Sequence, residues 1–278
     1  MNWLTETKIP VGAKAKQSFD WLQDHFAWFF DKLSDAMEDR LLAGIEWLLQ
    51  APPAFVIIAL FVAITWIIQR NWKACLTVFL GFLFILNQGY WKETTESLTL
   101  VLSSCIVCMG AGVPIGIAAA HRPRLYRAMR PVLDLMQTLP TFVYLIPTVI
   151  LFGIGVSAGL IATIIFVIPA AIRLTQLGVS QTPKPLLEAA QAFGATPRQN
   201  LWKVELPAAF PQIMTGLNQT IMLSLSMVVI AGLVGAAGLG IPVVRALNSV
   251  NPALGFESGL VIVVVAIVLD TMLRVDRE

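Results

Sequence analysis

Charge is what this sequence has least of. Asp, Glu, Lys and Arg make up 13% of its 278 residues, where a soluble domain carries about a quarter. So few charges do not cover the surface of an ordinary water-soluble fold. The formal net charge of +2 leaves no electrostatic footprint for nucleic acid, and the basic residues fall in short segments between apolar runs, not in one patch. Cysteine is also scarce: Cys75, Cys105 and Cys108 all lie inside apolar runs. The Cys105-x-x-Cys108 pair has no second ligand pair, so it reads as two small residues on one helix face, and no metal site is expected. His25 and His121 are the only histidines, and neither has a carboxylate partner at a legible spacing, so no chemistry is assigned to them. No Gly-x-x-x-x-Gly-Lys-Ser/Thr phosphate loop occurs, which excludes the chain as its own nucleotidase. No nucleophile–base pair or metal-ligand set falls at a plausible membrane depth, which weighs against a membrane-embedded enzyme. The first 50 residues lack a compact apolar core followed by a small-residue cleavage site, so the amino terminus is expected to be retained.

What the chain has instead is apolar length, with hydrophobic residues at 57%. A helix of about 20 apolar residues spans a bilayer, and about seven windows qualify. They run from Ala51 to Gln69, Ala74 to Tyr90, Ser97 to Ala120, Val132 to Gly153, Val156 to Gly178, Ile213 to Ala236 and Phe256 to Leu273. The expected fold is an all-α integral membrane protein in contact with membrane lipid. Lys and Arg set its orientation. Arg70, Lys73, Arg122, Arg124, Arg127, Arg130, Lys184, Arg198, Lys203, Arg274 and Arg277 fall on one side, and only Lys92 and Arg245 fall in the short loops of the other. That bias predicts the amino terminus outside and the carboxyl terminus inside. Asp134, Arg173 and Asp270 lie near the inner ends of their windows, whereas a proton-coupled carrier more often places an ionisable group at mid-membrane.

Three parts follow: a tail over residues 1–50, accessory spans over 51–95 and a core over 96–278. In the tail, Phe19, Leu22, Phe26, Phe29, Leu33, Met37, Leu41, Ile45 and Leu48 recur at steps of three and four, with Asp20, Asp24, Asp31, Asp35, Glu38 and Asp39 between them. This is an amphipathic helix, expected to lie on the outer membrane surface, with Trp21, Trp28 and Trp47 suited to the interface. A docking face for an external partner is the alternative.

One stretch of the core, residues 180–210, is polar and punctuated. Pro183 and Pro185 start a helix that Gly194 is placed to end in a left-handed conformation. Thr196, Pro197 and Gln199 then form the capping box of a second short helix, which Pro207 and Pro211 are expected to end. Two capped helices around a glycine make a knob on the inner side. Glu188 offers it a charge, Ala189, Ala190 and Ala192 allow close approach, and Leu186, Leu187 and Phe193 offer apolar anchors.

Glu188-Ala-Ala-Gln-Ala-Phe-Gly194, followed after nine residues by Val204-Glu205-Leu206-Pro207, resembles the EAA loop of ABC importer permeases, with Val204 standing where the family has Ile. The stretches from Met136 to Gly155 and from Leu217 to Gly240 are similar to segments of permeases for glycine betaine, proline betaine and choline, and the likeness covers about Glu96 to Asp270. The resemblance implies a type I importer permease fold in a bacterial cytoplasmic (inner) membrane. It implies a homodimer of permease subunits, a cytoplasmic ATPase dimer that binds ATP and Mg, and a periplasmic or extracellular binding protein, with no cofactor in this chain. It also implies that Glu188, Ala189, Ala190, Gly194 and Pro207 couple the ATPase to transport. An amino-acid or other small-solute permease is the alternative, because many importers share the EAA loop.

Cations of the quaternary ammonium type are held by aromatic faces, so Phe142 and Tyr144, beside Pro140, are candidates for the path. Asn218, Gln219, Ser224 and Ser226 are the polar candidates of the sixth window. For each of these residues, packing between helices is the competing role.

Overall fold

The computed structural model describes residues 10–273; Arg274 and Arg277 lie outside them. No strand occurs among the described residues. We number the helices α1 Val11–Asp35, α2 Ala43–Gln50, α3 Ala54–Gln69, α4 Trp72–Asn87, α5 Trp91–His121, α6 Pro123–Thr138, α7 Leu145–Phe152, α8 Val156–Ser180, α9 Lys184–Ala192, α10 Pro197–Asn200, α11 Leu206–Gly232, α12 Gly240–Asn248 and α13 Pro252–Leu273. A π-turn, Ala36–Leu42, joins α1 to α2, and another, Leu201–Glu205, joins α10 to α11.

The seven apolar windows do not become seven full spans. Four helical runs are long and apolar enough to cross a membrane alone: α5, α8, Pro197–Gly232 and α13. Two further windows belong to bent pairs, which brings the total to six at most. The remaining one, α4, has 16 residues and is about 24 Å long at 1.5 Å per residue, short of a core of about 30 Å. It forms a hairpin with α3, whose end is set by Arg70 in the left-handed region (φ 50). Asn71 then caps α4 by accepting from the Lys73 N–H at 3.0 Å.

The window from Val132 to Gly153 is the clearest departure. Leu139 precedes Pro140 and is forced out of the helical region to ψ 137, because the proline ring crowds the residue before it. The chain bends by 108° between α6 and the segment Thr141–Phe152. Thr141–Tyr144 form a tight 3-10 turn, closed by the Tyr144 hydroxyl donating to the Met136 carbonyl. Pro147 sits in the first turn of α7, where its missing N–H costs no helical bond. The predicted span is therefore an amphipathic surface helix, α6, with Arg124, Arg127 and Arg130 exposed and Leu133 buried, followed by a short apolar helix.

At the centre, α5, α8 and α11 pack on one another. Small residues set their spacing: a Cβ on Gly116 would lie 2.7 Å from the Ile172 carbonyl oxygen, and one on Gly112 would lie 2.7 Å from Ala171 Cβ. In a bilayer such close approach replaces the hydrophobic drive available in water. Ser104 on α5 donates to Ser224 on α11 at 2.8 Å, and both are fully buried. Cys108 is buried beside the Ile164 carbonyl and Cys105 is buried nearby, so both fill space between helices.

The tail is helical, with a break at Phe26 (φ −125, ψ 16), and it turns by 102° into α3 at Ala51–Pro53. Its second half is seated on the protein. Leu42 and Leu49 are buried, Phe30 meets Phe152 edge-on at 5.3 Å, and Ser34 donates to Ser157, whose hydroxyl donates to Glu38. Trp21 (53% exposed) and Trp28 (61%) stay on the outside.

Candidate coupling loop and translocation path

The knob forms from its own local chemistry. Helix α9 starts after Pro183 and ends at Gly194, which takes φ 78. There the Gly194 N–H donates to the Gln191 carbonyl and the Ala195 N–H to Ala190, which satisfies carbonyls left open by the helix end. Gln199 N–H donates to Thr196 Oγ1 at 3.4 Å and Thr196 N–H to Gln199 Oε1 at 2.8 Å, completing the capping box. No residue of α9 is buried. Glu188, Ala189 and Gly194 are exposed, Ala190 is half-buried, and Phe193, 92% exposed, stands at the tip.

The second helix does not stop at Pro207 or Pro211. The chain is helical from Pro197 through Gly232, and both prolines lie inside that run. The ring of Pro207 would collide with the carbonyl four residues back in a regular helix. The widened π-turn over Leu201–Glu205 lies immediately before it, and Pro207 occupies the first turn of α11 with no N–H to leave unpaired. The knob is therefore continuous with a membrane span.

His121, at the last position of α5, has a partner after all. Its Nε2 lies 2.7 Å from Oε2 of Glu205 in the π-turn. The residues are 84 positions apart, so no local spacing announced the pair. An ion pair joins α6 to α8, with Arg173 Nη2 donating to Asp134 Oδ1 at 2.6 Å.

The path candidates divide. Ser224 is spent on Ser104 and on the Thr220 carbonyl. Asn218 donates to Asp270 Oδ1 at 3.1 Å, tying α11 to α13. Tyr144 is 6% exposed, with its ring 6.0 Å from that of Phe166. By contrast, Gln219 and Ser226 are exposed on α11, seven residues apart and hence on one face, which Thr215 extends. Phe142 is 58% exposed and Pro140 is exposed, both in the bend between α6 and α7. The 3-10 turn at that bend packs against α8 and α11.

A bundle of apolar spans with a folded element projecting between two of them defines a multi-pass membrane protein. Residues 112–275 match the family of binding-protein-dependent transport system inner membrane components. The chain is 43% identical to the glycine betaine transport system permease protein OpuAB of Bacillus subtilis over 263 residues, covering 95% of this chain and 93% of that one. It is 43% identical to the glycine betaine/proline betaine transport system permease protein ProW of Escherichia coli over 267 residues, covering 96% of this chain and 75% of ProW. Among solved structures it is similar to a chain of the MetNI methionine ABC transporter in an inward-facing conformation, with a TM-score of 0.57 and 27% identity over 66% of this chain and 94% of that one. The chain belongs to the binding-protein-dependent transport permease family and is a membrane-spanning component of a transport system.

Proposed function

We propose that the chain is the permease subunit of an ATP-driven importer of quaternary ammonium solutes, glycine betaine or proline betaine foremost, in a bacterial inner membrane. Two copies pair to form the path, a cytoplasmic ATPase dimer binds ATP and Mg, and a binding protein delivers solute from outside. The observation that carries the reading is the knob: a self-capped element with no buried residue in α9, and with Leu186 and Phe193 exposed, has the form of a surface made for another protein. Glu188, Ala189, Ala190 and Gly194 present it, and Pro207 joins it to the span. The identity of 43% to two betaine permeases over almost the whole chain supports betaines over amino acids, for which the likeness to the methionine transporter is 27%.

The knob end also carries Arg70, Lys73, Arg122, Arg124, Arg127, Arg130, Lys184, Arg198 and Lys203, all exposed, which supports a cytoplasmic knob and an external amino terminus. Within the path, Gln219 and Ser226 are the favoured polar lining, because lipid hydrocarbon offers an exposed amide or hydroxyl no partner beyond its own helix. Phe142, at the bend, supplies the exposed aromatic ring.

The test is uptake of radiolabelled glycine betaine and choline by vesicles holding this chain with its ATPase and binding protein. Uptake that needs ATP and all three components is expected, together with loss of ATPase co-purification in Glu188→Lys. ATP-dependent uptake of an amino acid and neither amine would overturn the substrate class, and an unaltered ATPase yield in Glu188→Lys would overturn the docking role.

A further inference from the structure

We propose that His121 and Glu205 form a strut that ties the base of the knob, where the π-turn meets α11, to the corner between α5 and α6, so that ATPase motion reaches the bend at Pro140 as well as α11. The inference rests on the importer reading above, and it names two positioning residues for coupling.

The knob has one covalent route into the span that follows it, and that route passes through the π-turn Leu201–Glu205. A π-turn is a widened, less regular stretch of helix, so a displacement of the knob is partly absorbed there before it reaches α11. The Glu205 side chain, only 12% exposed, closes this turn onto His121 at 2.7 Å. His121 is 45% exposed and is the final residue of α5, where unpaired carbonyls favour a donor or a positive charge.

From His121 the connection continues along rigid parts. Arg122 is both the end of α5 and the start of α6. Helix α6 is fixed to α8 by Asp134 and Arg173 at 2.6 Å, with Arg130 Nε 3.9 Å from the same carboxylate. It ends at Leu139–Pro140, where the chain turns by 108° toward α7 past the exposed ring of Phe142. The strut therefore attaches the base of the knob, at the last residue of the π-turn, to the helix that leads into the bend. Removing it leaves the knob folded by its own caps and docked, with the start of α11 no longer tied to His121.

The measurement is solute transported per ATP hydrolysed in the reconstituted complex. His121→Ala and Glu205→Gln are each expected to lower this ratio about tenfold, the scale of one charge-assisted hydrogen bond, with ATPase co-purification unchanged. His121→Gln, whose amide donates to the same carboxylate, is expected to keep the wild-type ratio, which a purely steric role for the ring would not allow. An unchanged ratio in both disruptive variants, or a loss in His121→Gln equal to that in His121→Ala, overturns the strut. A wild-type complex that imports neither amine overturns the importer reading instead. The strut is still decided in that case by spin labels at Arg127 on α6 and the exposed Ala208 on α11. Their separation is expected to stay constant through the nucleotide cycle in the wild type and to change in His121→Ala; a change in both, or in neither, overturns it.

Discussion

The three-helix centre and the knob are both helical, yet they hold their shape by opposite means. In α5, α8 and α11 the determining contacts join residues far apart in the chain, such as Ser104 with Ser224 and Gly116 with Ile172. In α9 and α10 every cap is made within five residues, and nothing in α9 is buried. A region that is stable through its neighbours cannot be displaced without disturbing them. A region that is folded through its own turns can be pushed by a partner and keep its form, which suits an element that receives force.

That contrast is open to direct attack. Gly116→Leu places a side chain where a Cβ already lies 2.7 Å from backbone, so overpacking of about 1–3 kcal/mol is expected, read as a lower unfolding temperature of the detergent-solubilised protein. Gly194→Val is the matching insult to the knob. Its site has open space and φ 78, so the expected cost of about 1–2 kcal/mol is backbone strain alone. It is confined to α9 and α10: amide exchange rises near Ala195 while the unfolding temperature of the bundle is unchanged. A lowered unfolding temperature in that variant would show that the knob is not independent. The smallest effect belongs to Ser104→Ala, where a hydrogen bond between membrane helices is worth about 0.6 kcal/mol. A double-mutant cycle with Ser224→Ala isolates it, and a coupling of zero would remove the hydroxyl bridge from the account of the centre.

The same contrast explains what the sequence disclosed. Thr196, Gln199 and Gly194 act over a few residues, so the knob could be read from its letters. Apolar windows located the spans but not their breaks: Leu139 yields to the ring of Pro140, and a hydropathy window averages across that bend. Pro207 misled in the other direction, because the π-turn that accommodates it has no signature in composition. Asn218 and Ser224 read as polar path residues until α13 and α5 supplied their partners. His121 and Glu205 met only through the fold.

The tail carries a consequence for how the chain is made. Ser34 and Glu38 find their seat on Ser157, a residue 119 positions beyond Glu38. Helix α1 therefore cannot be seated when it is made: Phe30 and Ser34 have no counterparts until α7 and α8 have been inserted. A segment made before its partners is closed onto the bundle after them.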